Sequence, residues 1–146
     1  MGSAYKKSKR RSDSSSEPPK KVTLFIDRCA WTRTLEEALK EHDIPFVAHK
    51  DIFAQDCPDD EWLRGVAERG WIVVTRDKNI RRKANELRAF RESGLHVFVL
   101  ASGNASAEDH ATLIIELYPK FLAKAHTTSP PAMFSVSLGR SISLIR

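Results

Sequence analysis

The chain has 146 residues, 41% of them apolar, and 24 Lys or Arg stand against 19 Asp or Glu, for a formal charge of +5. That is one domain's worth of chain, long enough to bury a core unaided, and two cysteines (Cys29 and Cys57) exclude a disulfide framework. The only longer apolar run, Leu95–Leu100, is far short of the ~20 residues that cross a bilayer, and no apolar signal segment opens the chain, so a soluble cytoplasmic protein is expected.

The charge is unevenly placed. Residues 1–21 hold seven of the Lys and Arg and two of the acids, which leaves 17 of each sign in 22–146 and a folded part that is neutral overall. Rich in Ser, Lys and Pro and poor in apolar residues, 1–21 reads as a disordered basic tail. Such an arm either adds salt-sensitive attraction to phosphates or serves as a solubilising leader.

From residue 22 onward strands and helices alternate. Val22–Ile26 is a first strand, with Cys29 expected to be buried beside it. Thr32 or Thr34 caps a helix to about His42, in which Leu35, Ala38 and Leu39 share one face. Pro45–His49 is a second strand. The segment KDIFAQDCP reads as a polar loop holding Cys57, and Asp59 precedes a helix with Trp62, Leu63 and Val66. Gly70 is placed to end that helix, Trp71–Thr75 is a third strand, and a basic helix over about Ile80–Glu92 runs to Gly94. A fourth strand, Leu95–Leu100, leads to the longest helix, about Ala107–Ala125. A Pro-marked loop and two short strands about Gly139 close the chain as a hairpin. This order predicts an α/β fold: a mostly parallel sheet covered on both faces, with a small C-terminal hairpin.

In such sheets ligands bind at the carboxyl ends of the strands, where strand order reverses. Asp27 and Asp77 both follow strands and project at that edge, and Asp59 lies in a loop opening there. Like charges ~4 Å apart cost about 4 kcal/mol at an effective dielectric near 20, which a divalent cation would cancel. Oxygen-only donors favour Mg²⁺ or Mn²⁺ over zinc, and such ions activate water and stabilise a leaving oxygen in phosphodiester cleavage. Arg28, Lys78, Arg81 and Arg82 are the bases that would hold a phosphate backbone.

Plainer roles exist for each residue. Asp27 can be a loop or N-cap residue, Asp77 can cap the helix after it, and Asp59 or Asp60 can cap the helix of Trp62. Glu61 in a first helical turn suits the helix dipole, and Arg81-Arg82-Lys83 can be a solvated face. Five histidines show no metal spacing. No Gly-rich phosphate loop or GxSxG is present, and an Asp-x-Asp nucleophile motif fails because its second place is Cys29.

Taken together, LFIDRC, HKDIFAQDCPDDEWL, ERGWIVVTRDKNIR, VFVLASGN and SPPAMFSVS resemble a PIN-like domain of the VapC type, the toxin ribonucleases of bacterial toxin–antitoxin systems. The likeness runs from residue 22 to the end. It implies a three-layer α/β/α fold and a Mg²⁺- or Mn²⁺-dependent endoribonuclease, usually dimeric and silenced by a cognate antitoxin. Asp27, Asp59 and Asp77 match the family's acids and Thr75 its hydroxyl before the last acid. Asp51 and Glu61 match further acids of this branch, Glu61 as a further metal ligand. Asn79 stands where many relatives carry another Asp, which leaves one or two ions open. An inactive RNA- or protein-binding module and a DNA-directed nuclease are the competing readings.

Overall fold

A computed structural model describes residues 21–77, 79, 80, 90, 92, 94–101 and 104–145. The basic tail before Lys21, most of the basic helix expected over Ile80–Glu92, and Lys78, Arg81 and Arg82 lie outside the described residues.

The described elements are β1 (Leu24–Ile26), α1 (Arg33–Glu41), β2 (Phe46–Ala48), α2 (His49–Ile52), α3 (Asp59–Arg69), β3 (Ile72–Thr75), β4 (His96–Leu100), α4 (Ala107–Thr127), β5 (Ala132–Val136) and β6 (Ile142–Leu144). Six strands form one sheet in the order β2-β1-β3-β4-β5-β6. All neighbours run parallel except β5 and β6, which form the expected hairpin. Both faces of the central strands are covered, so β1, β3 and β4 are buried at every residue, as near-continuous apolar runs require.

Alternate strand residues feed two cores. On one face Leu24, Ile26, Ile72, Val74, Phe98 and Phe134 pack with α1 and α4 through Leu35, Leu39, Leu117 and Phe121. On the other, Phe25, Val73, Val97 and Val99 pack with Trp62, Leu63 and Val66 of α3.

Local signals account for the helix ends. The Thr32 hydroxyl accepts from the Leu35 amide at 3.0 Å, and Ser106 and Asp109 form a reciprocal capping box on α4. Gly70 closes α3 at φ 70°, a left-handed conformation open to glycine at no steric cost. Three expectations are corrected. The segment read as a loop after β2 begins with the short helix α2, because His49 turns its ring into the core instead of ending the strand. Pro58, not an aspartate, occupies the cap position of α3 and offers no side-chain bond, so Asp59 is the first helical residue. Cys29 as a whole is exposed, since it lies in the turn beyond β1 and not under the strand. Among the described residues no helix is long and apolar enough to cross a membrane.

Candidate active site

Strand order reverses between β1 and β3: from β1 the chain goes outward to β2, then returns past β1 to β3 and continues on its other side. The crevice at the carboxyl ends of these two strands is where open α/β sheets bind ligands. Register carries the sequence to that point. Ile26 is paired with Val74, so the next residue, Asp27, is level with Thr75. The Asp27 amide donates to the Val74 carbonyl at 3.0 Å, and its own carbonyl takes the amides of Ala30 at 2.9 Å and Trp31 at 3.1 Å. The backbone on both sides of the carboxylate is thereby fixed.

The Asp27 side chain is held as tightly. Its Oδ1 accepts from the Arg28 amide at 2.8 Å, and its Oδ2 accepts from the Thr75 hydroxyl at 2.8 Å. The fully buried Thr75 in turn accepts from the Asp77 amide at 3.1 Å, and Asp77 Oδ1 takes the Asn79 amide at 2.9 Å. A single hydroxyl therefore ties the two strand-end acids together. A carboxylate has about four lone-pair positions, so these bonds leave acceptor capacity on Asp27.

Cys29 completes the knot. Its Sγ lies 3.3 Å from Thr75 Oγ1 and 3.6 Å from Asp27 Oδ2, and it accepts from the Arg76 amide at 3.3 Å. Although the residue is exposed overall, its sulfur is turned inward. Burial pushes the thiol pKa up, and the Asp27 charge adds to the rise against the hydrogen bonds from Thr75 and Arg76. Cys29 is therefore a neutral thiol near pH 7, not a nucleophile.

The other candidates are placed differently. Asp59 Oδ1 accepts from the Trp62 indole at 2.9 Å, which folds the first turn of α3 back on its own tryptophan. Neighbouring Asp60 has a buried Oδ1 with no hydrogen-bond partner. Glu61 accepts from the Cys57 thiol at 3.5 Å, and Asp51 pairs with Lys50 at 3.4 Å on the surface. Arg28 is exposed beside Asp27. Among the described residues no three His, Cys, Asp or Glu side chains are grouped so that they could hold a metal ion. The edge brings Asp27, Thr75 and Asp77 into one network and leaves Asp59 in a separate one.

One buried residue feels the charge of both networks. His49 is 2% exposed, its ring packed against Phe25, Phe53 and Trp62 at 5.4–5.8 Å between centroids, and its Nδ1 has no hydrogen-bond partner. Burial lowers its pKa, opposed by the negative charges of Asp27 and Asp59 and reinforced by Arg28. No local pattern signals this, because a histidine closing an apolar strand shows neither ligand spacing nor a partner. Lys50, in the same short helix, sits 4.5 Å over the Trp31 ring, a contact between distant residues that no local spacing marks.

Residues 22–102 match the protein family described as PIN like domain. The chain is also similar to a protein of Mycobacterium tuberculosis (strain H37Rv) named as a candidate ribonuclease, VapC45. The two are 28% identical over 96 residues, or 63% of this chain and 70% of the relative. No solved structure matches the chain with significance.

Proposed function

This chain belongs to the PIN-like domain family, and from that premise we propose that it is an endoribonuclease, the toxin of a toxin–antitoxin pair acting in the cytoplasm. The observation that carries this reading is the Asp27–Thr75–Asp77 network at the point where strand order reverses. The similarity to a protein named as a ribonuclease supports the choice of RNA over DNA.

The donor chemistry fits a hard divalent cation. Mg²⁺ keeps several of its waters and is commonly held by one or two carboxylates and substrate phosphates, not by a full protein cage. Asp27 and Asp77 would hold it, with Asp59 and Glu61 as further acids at the α3 end. When bound, such an ion supplies a nucleophilic water and charge neutralisation at the phosphate. Thr75 fixes the orientation of the Asp27 carboxylate through its hydrogen bond to Oδ2. Arg28 and Lys50, with Lys78, Arg81 and Arg82, would draw the phosphate backbone to the acids. Asp51 supports Lys50 through their ion pair. A cognate antitoxin and a homodimer are the partners that this reading brings with it.

The test is a thermal melt with and without millimolar Mn²⁺, run with an RNA cleavage assay on the parent, Asp27→Asn and Asp77→Asn. A ligand that binds only the folded state raises its melting temperature. We expect a rise in the parent that is lost in the variants, together with loss of cleavage. Cleavage that survives both substitutions sinks the nuclease assignment.

A second reading has its own support. Asp27, Asp59 and Asp77 all take hydrogen bonds from neighbouring donors, which gives each a structural role without any metal. An inactive RNA- or protein-binding module would keep these bonds. It would show no Mn²⁺ shift in parent or variant.

A further inference from the structure

We propose that the outer edge of β6, with the groove beside it on α4, is a docking site for an extended acidic peptide strand. The surface is separated from the candidate active site by β4 and β5, and the proposal does not rest on the nuclease reading.

The backbone is the first element. Among the described residues, strand β6 is the last of the sheet, with only β5 as a neighbour. The Ser137 amide donates to the Ser141 carbonyl and the Ile145 amide to the Met133 carbonyl, so the odd-numbered residues of this strand face β5. Antiparallel pairing alternates, which turns the backbone N–H and C=O of Ile142 and Leu144 outward. No partner for them is found among the described residues. Leu144 is also one of the few large apolar side chains left open, at 43% exposure. An open edge with an open apolar residue is a template for another strand.

Charge then selects the occupant. Between α4 and β6 runs a groove of about 440 Å³, lined by Lys120, Ala123, Lys124, Thr127, Arg140 and Ile142. Arg140 is paired with Glu116 at 2.8 Å, whereas Lys120 and Lys124 have no acidic partner among the described residues. The two lysines are four residues apart on one helix, so they stand one above the other along the helix axis. The groove carries no aromatic ring on which a nucleic-acid base could stack, which favours a peptide over a single strand of RNA. The basic segment 1–21 of this chain is of the wrong sign for it.

Arg140 adds an independent sign. It holds the left-handed position of the β5–β6 turn, at φ 69°, while Gly139, one residue earlier, does not. A hairpin normally places glycine there. The cost is offset by the side chain itself, whose guanidinium bonds Glu116 and the Leu138 carbonyl. That geometry fixes the Arg140 guanidinium, with Glu116 as its partner, beside the groove, where a glycine would leave no side chain.

The experiment titrates the full-length, ¹⁵N-labelled protein with an acetylated, amidated peptide of alternating Glu and Val, eight residues long. The expected result is a set of amide shifts at Ile142 and Leu144 and along Lys120–Lys124, with binding about tenfold weaker in the K120E/K124E variant. The same peptide with Lys in place of Glu, tested on the parent, should leave these signals unmoved, which keeps the test valid if the variant fails to fold. The proposal is overturned if β6 does not respond, or if both peptides bind alike. It is equally overturned if an oligouridylate shifts the same amides more strongly, assigning the groove to RNA. Shifts that follow protein concentration without peptide would assign the edge to a second copy of the chain.

Discussion

The Thr75 hydroxyl holds the candidate site together, because it donates to Asp27 and accepts from the amide leading into Asp77. Thr75→Val keeps the shape and removes both bonds, leaving a part-buried Asp27 oxygen and the part-buried Asp77 amide without this partner. We expect a loss of about 1–3 kcal/mol in urea unfolding, with Thr75→Ser restoring most of it. If Thr75 also positions Asp27 for a cation, the Val variant should lose the Mn²⁺-dependent rise in melting temperature, and a purely structural hydroxyl would not change that rise. His49 gives a pH prediction. Burial, only partly countered by Asp27 and Asp59, lowers its pKa below the unfolded value of about 6.5, so the unfolded chain takes up the proton first. Its contribution is whole above that pH and is lost as pH falls through the lower folded value. The melting temperature of the parent should therefore fall between about pH 7.5 and 5 more steeply than that of His49→Phe, whose ring suits the surrounding Phe25, Phe53 and Trp62. Equal slopes would remove His49 as the source.

At the scale of elements, α4 contains Pro119 in its interior, where the ring removes one helical hydrogen bond and crowds the preceding turn. The side chain is exposed, so nothing in the core depends on it. Pro119→Ala should stabilise the fold by about 2 kcal/mol, the helix penalty less the entropy that proline removes from the unfolded chain, measurable as a higher urea midpoint. Gly70→Ala should act in the opposite sense by about 1 kcal/mol. A Cβ there meets no atom within 4 Å, so only the positive φ opposes it. These elements were readable in the sequence because each carries its own signal, a continuous apolar run for a strand or a 3.6-residue apolar period for a helix, with Thr32 and Gly70 marking helix ends. The strand ends put Asp27 and Asp77 at one edge for the same reason. The four-residue helix α2 was hidden inside a polar segment too short to show a period. The bonds of Cys29 and Thr75 to Asp27, and the seat of His49, depend on the pairing of β1 with β2 and β3 across dozens of residues, which no local pattern specifies.

Across the whole molecule, one sheet separates two cores that serve different ends. Phe98, stacked on Phe121 at 4.2 Å and on Phe134 at 4.9 Å, anchors the face covered by α1 and α4. Phe25 anchors the other, where it touches His49, Phe53, Trp62 and Trp71 and so underlies both the Asp59 turn and the histidine beside Asp27. Both rings are fully buried, and truncation of either to alanine should cost about 3–5 kcal/mol. Because the same strands line both cores, each variant should still unfold in a single transition, with its melting temperature lowered by about 10 °C or more. Their effects should part below those temperatures. Phe98→Ala leaves the packing of Phe25 with His49 and Trp62 untouched and should keep the parent's Mn²⁺ shift and RNA cleavage wherever it is folded. Phe25→Ala removes the surface on which His49 and Trp62 rest, so it should lose cleavage while still folded, as judged by circular dichroism. If the two variants lose cleavage equally under those conditions, the acid edge is not supported by one face of the sheet, and the site must draw on the molecule as a whole.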